Sequence, residues 1–306
     1  MTPGPRFSVL TACLNRAEFL PACIESLQNQ TYKDWEHIVV DGGSTDGSVE
    51  LLRDNPGIRL VTEPDEGMYD ALNKALYMAQ GEIICFLNSD DLLAAGALGQ
   101  AARRFDDHPE LDAVCGSAEL FIDTNEGSKT IRMLSARFNL LARTSMNAWF
   151  FRREALLRLG GFDSRLRVFA DRLLLIRFMT SNPRVRMIPQ VTCRYRRHPG
   201  SMTFSDAGIP DDVAEEAIRT CRTVITEHSS SRRIKVECKN WHAQSVGGSA
   251  LGALRAGNLA SMSSWLFVGF DRDLWWPIRF ARHLLFVKLL VKRFADSYNG
   301  PGHSAG

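Results

Sequence analysis

Between Phe7 and Asp91, short apolar runs alternate with helix-spaced stretches, and the runs give way to polar or acidic residues. Phe7 to Thr11, His37 to Val40, Arg59 to Thr62 and Glu82 to Leu87 read as strands. Glu18 to Leu27 and Val49 to Arg53 read as helices. So does a third stretch, on which Met68, Leu72, Leu76 and Ala79 share a face before Gly81 ends it. Strands and helices alternating at this spacing predict βαβ units and a parallel sheet. Ligands of such sheets sit outside the carboxyl ends of the strands. Thr11, Asn15, Asp41, Asp65 and Asp90 are therefore expected near one edge, where their loops can meet over one ligand.

The densest part of this pattern is Glu63 to Asp91, EPDEGMYDALNKALYMAQGEIICFLNSDD. Its last strand runs directly into Asp90 and Asp91, which present acid to whatever binds there. The same NSDD run would also serve to cap a helix starting near Ala94. Asp70 and Asn73 lie three apart on the preceding helix and share a face, although an aspartate so near a helix start is also favoured by the helix dipole alone.

Charge and cysteine usage narrow the setting. With 37 basic and 35 acidic residues the net charge is only +2, so the overall balance calls for no nucleic acid. The seven cysteines, Cys13, Cys23, Cys85, Cys115, Cys193, Cys221 and Cys238, are scattered and never in a CxxC pair, which speaks against a disulfide framework or a zinc site and for a reducing cytoplasm. The first residues, MTPGPRFSVL, lack the pattern of an export signal, and no uncharged run of about 18 residues suggests a membrane span.

Further along, Leu111 to Cys115 and Ala118 to Ile122 read as strands, and Asn125 to Arg143 as a polar, weakly periodic loop. In NAWFFRREALLRLGGFDSRLRVFADRLLLIRFM, Trp149 to Phe151 suit a buried strand, Glu154 to Leu159 a short helix stopped by Gly160 and Gly161, and Asp171 opens an apolar helix. As a sequence signal alone, Asp171 is an N-cap. Asp163 falls in a turn-like GFDS context. A strand then leads into the basic turn RRHPGS, with Arg196, Arg197, His198 and Ser201.

Residues 211–260 read as helices. After them, Pro277 can start a helix on which Phe280, Leu284, Val287, Val291 and Phe294 form a stripe, with Arg279, Arg282, Lys288, Lys292 and Arg293 and no acid. Such a helix fits the plane of an anionic membrane; it fits equally well packed on protein.

Taken together, FSVLTACLNRAEFLPACIESLQNQTYKDWEHIVVDGGSTDGS, EPDEGMYDALNKA and GEIICFLNSDD resemble the nucleotide-sugar-binding half of the inverting family 2 glycosyltransferases of bacterial envelope and exopolysaccharide pathways. The resemblance covers roughly residues 6 to 205. It implies a GT-A fold, a Rossmann-like α/β architecture with a mixed sheet. The catalytic domain would span 1–205, divided into a donor half (6–91) and an acceptor half (92–205), with a helical extension at 206–306. It also implies a nucleotide diphosphate sugar donor, a glycan or lipid-linked acceptor, and a divalent cation, Mg²⁺ or Mn²⁺.

Carried over residue by residue, the resemblance places Thr11, Asn15, Asp41 and Asp65 around base and ribose, and Asp70 and Asn73 toward the donor sugar. Asp90 falls on the last position of the family's DxD motif as metal ligand, with Asp91 beside it and His198 as a further metal contact. Asn88 stands where the motif has its first Asp, which removes a charge. Many relatives read Asp-Asp-Gly-Ser where this chain has Asp41-Gly42-Gly43-Ser44. The Gly-Gly-Phe-Asp run followed by Ala170-Asp171 makes Asp171 the catalytic base. Two rival functions stand beside this one. A sugar nucleotidyltransferase would favour a basic, glycine-rich first loop, which Thr11 to Phe19 lacks. A non-catalytic, membrane-associated subunit that binds nucleotide sugar weakly is kept open by Asn88.

Overall fold

The structure is a computed structural model and describes residues 4–124, 127–134, 145–198, 200, 211–228, 231–255, 257–272 and 275–282. The chain divides into two compact units, 1–204 and 205–306.

In the first unit, β1 (Phe7–Cys13), α1 (Leu20–Gln28), β2 (Trp35–Asp41), α2 (Ser48–Arg53), β3 (Ile58–Thr62), α3 (Met68–Met78) and β4 (Ile83–Phe86) follow in order. Their strands pair in parallel, with β1 between β2 and β4, and β3 outside β2. Side chains of the central strands alternate between two cores, as a two-residue period requires. Leu10, Ile84 and Phe86 enter one, beside the α3 residues Leu72, Ala75 and Leu76. Phe7, Val9, Ile83 and Cys85 enter the other, beside α1 and α4 (Ala97–Asp107). Each large side chain buried this way contributes roughly 1.5–3 kcal/mol, so the two cores hold the sheet edge still for the loops above it.

Beyond β4 the sheet stops being parallel. β8 (Trp149–Arg152) runs antiparallel to β4, and β6 (Ala113–Thr124) antiparallel to β8. β9 (Val185–Arg196) runs parallel to β6, and the two-residue β5 (Leu92–Leu93) antiparallel to β9. The parallel sheet predicted from the first ninety residues is therefore half of a mixed one. The two strands expected at 111–122 are a single strand, with register shifts against β9 on either side of Ser117. The expectation of a loop at 125–143 is corrected too. Gly127–Leu134 forms β7, antiparallel to β6, and residues 135–144 lie outside the described ones. Cross-strand pairing, not its own weak periodicity, makes that segment a strand. The short helix α5 (Arg153–Arg158) and α6 (Ala170–Thr180) complete the unit.

The second unit contains α7 (Asp211–Glu227), α8 (Arg232–Arg255) and α9 (Leu259–Arg272). Ala214, Ile218, Ala243, Val246, Trp265 and Trp276 form its core, and Phe280 packs against them. Phe280 is thus turned to protein, whereas Trp275 and Ile278 are exposed. The remaining residues of the predicted apolar stripe, Leu284, Val287, Val291 and Phe294, lie outside the described residues. Among those described, no helix is long and apolar enough to cross a membrane.

Candidate active site

A cavity of about 450 Å³ opens at the carboxyl ends of β1 and β4. Residues 6–91 line it with Asn15, Arg16, Asp65, Met68, Asn88 and Asp90, and later residues with Asn147, Phe162, Asp171 and Tyr195. Size does not single it out. A larger cavity of about 630 Å³ lies among Gln80, Glu82, Asp112, Arg152 and Arg184, where Arg152 pairs with Glu82 and Arg184 with Asp112. Converging polar groups distinguish the 450 Å³ cleft.

Asn15 enters from the loop after β1 with φ +53°, a conformation asparagine tolerates better than most residues. Its side-chain oxygen accepts from Thr45 N at 2.9 Å, and its own N–H donates to Ser44 Oγ at 2.7 Å. Asp65 is braced by Gly67 N at 2.9 Å and lies against Gly42, where a Cβ would come within 2.5 Å of its carboxylate. The departure noted at Gly42 therefore has a physical counterpart: the space of the missing side chain is taken by Asp65. Asp90 meets His198, with Oδ2 and Nε2 3.1 Å apart, and the His198 ring rests on Phe19 at 4.5 Å between centroids.

Three expected binding residues build the cleft without facing it. Thr11 is fully buried. Its hydroxyl donates to Leu87 O at 2.7 Å, so it accepts from His37 Nε2 at 3.0 Å. Asp41 is equally buried, and its carboxylate accepts from Gly43 N, Ser44 N and Ser44 Oγ, shaping the loop that holds Asn15. Asn73 pairs with the backbone of Phe162 through both ends of its amide, at 2.9 and 2.8 Å. Asp70 pairs with Lys74 at 3.2 Å on the surface of α3. Thr11, Asp41, Asp70 and Asn73 are not among the residues that line the cleft.

Asp91 is held by three partners. It is 1% exposed and accepts from Asn147 Nδ2 at 2.6 Å, Asn88 Nδ2 at 3.1 Å and Arg196 N at 2.9 Å, so both oxygens are engaged. Burial, with the adjacent Asp90 carboxylate second, pushes its carboxyl well above the usual range. It ties the end of β4 to the segment before β8 and to the end of β9, and does not line the cleft. Arg196 is likewise structural. Its Nε donates to the Asp90 carbonyl at 2.8 Å, its guanidinium pairs with Asp123, and it stacks over Phe19 and Phe121. Arg197 donates its backbone N–H to Phe121 O, and Ser201 lies outside the described residues.

Asp171 is the second residue of α6, whose N-cap position is Phe169, and it lines the cleft. The rival acid, Asp163, is bound by Arg165 at 2.8 and 2.7 Å, which holds its carboxyl below the ordinary range. Burial, then Asp41, pushes the thiol of the cleft-lining Cys13 up to about 12, which disfavours its thiolate. Sequence reasoning missed Arg16, Asn147 and Tyr195. Arg16 had a signal, a cation next to Asn15 in the first loop; Asn147 and Tyr195 had none, since only folding brings them to the strand ends.

The Asp90–His198 pair offers a metal ion one carboxylate and one imidazole. Among the described residues no three His, Cys, Asp or Glu side chains gather around one point. A carboxylate and an imidazole suit a Mn²⁺- or Mg²⁺-type ion that takes its remaining ligands from phosphate and water.

Residues 8–165 match the model of the family described as Glycosyl transferase family 2. Over 177 residues the chain is 34% identical to a PGL/p-HBAD biosynthesis glycosyltransferase of Mycobacterium tuberculosis, covering 55% of this chain and 67% of that one. Among solved structures it is similar to S. aureus TarS 1-349 in complex with UDP-GlcNAc, with TM-score 0.57 and 17% identity over 85% of this chain and 90% of the other. It is also similar to the mannosyltransferase PcManGT from Pyrobaculum calidifontis in complex with GDP-Man and Mn²⁺, with TM-score 0.55 and 20% identity over 96% and 88%. At those identities the solved structures speak for the fold, and the family match speaks for the activity. With strand ends, acids and cleft in that arrangement, the chain belongs to glycosyl transferase family 2 and is a glycosyltransferase of the GT-A fold.

Proposed function

We propose that the enzyme transfers a sugar from a nucleotide diphosphate donor to a glycan or lipid-linked acceptor, inverting the anomeric centre, with Asp171 as general base. The observation that carries this reading is that Asp171 lines the same cleft as Asn15, Asp65, Asn88 and Asp90, although eighty residues separate it from the last of them. In the proposed step the acceptor hydroxyl oxygen bonds to the anomeric carbon, its proton passes to Asp171, and the bond from that carbon to the diphosphate oxygen breaks, leaving the electron pair on the diphosphate. Asp65 and Asn15 hold the nucleoside, Asn88 the ribose or a water, and Arg16 offers positive charge to the diphosphate. Asp90 and His198 would hold a divalent cation, Mg²⁺ or Mn²⁺, which when bound offsets the charge that builds on the leaving diphosphate.

The test is a screen of UDP-, GDP- and dTDP-sugars by thermal shift with and without Mn²⁺, since a ligand that binds the native state raises its apparent stability. A metal-dependent shift with one donor class identifies the base. No shift with any donor would favour the non-catalytic subunit. Contact with the inner face of an anionic membrane through the second unit is supported by exposed Trp275 and Ile278 beside Arg279 and Arg282. Co-sedimentation with phosphatidylglycerol vesicles, lost on truncation at residue 273, is the expected result; unchanged partitioning would reject it.

A further inference from the structure

We infer that Asn73 and Tyr69 of α3 are positioning residues that set the place of Asp171, an inference resting on the reading of Asp171 as general base. The side-chain amide of Asn73 donates from Nδ2 to Phe162 O at 2.9 Å and accepts at Oδ1 from Phe162 N at 2.8 Å. A flipped amide would put donor against donor and acceptor against acceptor, so the orientation is determined. The site is built around this pair. Gly161 has φ +72°, and a Cβ there would come within 2.5 Å of Asn73 Oδ1, so neither the turn nor the clamp accommodates a side chain.

One turn earlier on the helix, the Tyr69 hydroxyl donates to Val168 O at 2.8 Å. Its ring packs on Phe162 at 5.1 Å, and Phe162 packs in turn on Phe86 at the end of β4. The segment 162–168 is therefore pinned at both ends to α3, and Arg165 and Asp163 brace it between. Asp171 follows three residues after the second pin. Meanwhile Met68, Tyr69 and Leu72 line the cleft themselves. One short helix thus touches the donor cavity and fixes the backbone that delivers the base. Asn73, expected from sequence to face the sugar, acts on the other substrate's proton acceptor instead.

A misplacement of about 1 Å at a reacting group costs on the order of a hundredfold. The experiment measures kcat and KM for hydrolysis of UDP-, GDP- and dTDP-sugars, with water as acceptor, for Asn73→Ala, Asn73→Asp and Tyr69→Phe. Each is also placed in an Asp171→Asn background, with the melting temperature and donor Kd of every variant recorded. Asn73→Ala is expected to lower kcat by roughly tenfold to a hundredfold with donor KM unchanged within about twofold, and to add nothing in the Asp171→Asn background. Asn73→Asp and Tyr69→Phe, which keep one contact each, should fall between and cover the case in which the alanine variant does not fold. A higher KM at unchanged kcat would overturn the inference, because it would place Asn73 on the donor. An equal loss with and without Asp171 would overturn it as well. Full turnover in Asp171→Asn alone would remove the base reading, a result distinct from an inactive Asp171→Asn beside a fully active Asn73→Ala.

Discussion

Asp90 Oδ2 and His198 Nε2 lie 3.1 Å apart, although 108 residues separate them in the chain. The imidazole is held from behind by Phe19 and the carboxylate by the backbone that Arg196 grips, so the pair is held as a unit where Asp90 lines the cleft. Asp90→Ala is expected to abolish Mn²⁺-dependent donor binding, and His198→Ala to weaken it by roughly tenfold or more. Isothermal titration of the donor with and without Mn²⁺ checks both. Wild-type affinity in Asp90→Ala would reject the metal role.

Asp171→Asn keeps shape and hydrogen bonding but cannot take a proton. Turnover should drop by about 10²–10⁴ while donor affinity stays within twofold, as expected for the loss of a general base. Steady-state kinetics beside equilibrium donor binding separates the two, and near-normal kcat would reassign the base.

Asp91 behaves oppositely from its neighbour. Its replacement by Ala strands the amides of Asn88 and Asn147 and the N–H of Arg196 in a buried site, at a cost of roughly 1–3 kcal/mol for each such group left unpaired. Urea denaturation should show Asp91→Ala to be several kcal/mol less stable, and Asp90→Ala close to wild type. Equal stability of the two would show that Asp91 does not tie these segments.

His37 sets an acid limit to stability. Burial lowers its pKa from 6.5 to about 4, and its Nε2 proton is given to Thr11. The folded state then binds fewer protons than the unfolded one between those values. Stability is full above about pH 6.5 and falls as pH drops toward 4, by roughly 3 kcal/mol at the lower end. Denaturation midpoints at pH 7, 5.5 and 4.5 should decline in the wild type and decline less in His37→Gln; parallel curves would remove His37 from the account.

Much of residues 6–91 was legible from the chain alone. Apolar runs of period two beside stretches of helical period dictate a parallel sheet, and Asp65, Asn88 and Asp90 follow strand ends within a few residues, so local pattern was enough to bring them to one edge. The second half was less legible. β7 gains its strand from β6, and the antiparallel turn at β8 depends on pairing with β4, a contact no local periodicity announces.

Which acid faces the cleft was decided only in three dimensions. Asp90 and Asp91 are adjacent and chemically identical, yet successive residues at a strand end point in different directions. What receives each comes from far along the chain, His198 for one, Asn147 and Arg196 for the other. Asn73 is set by Phe162 in the same way. The sequence by itself determined the sheet edge and the supply of polar groups along it, because those follow from short-range periodicity. The tertiary structure decided which of them line the cleft and which brace it, because a buried polar group must be paired and its partners are set by long-range packing.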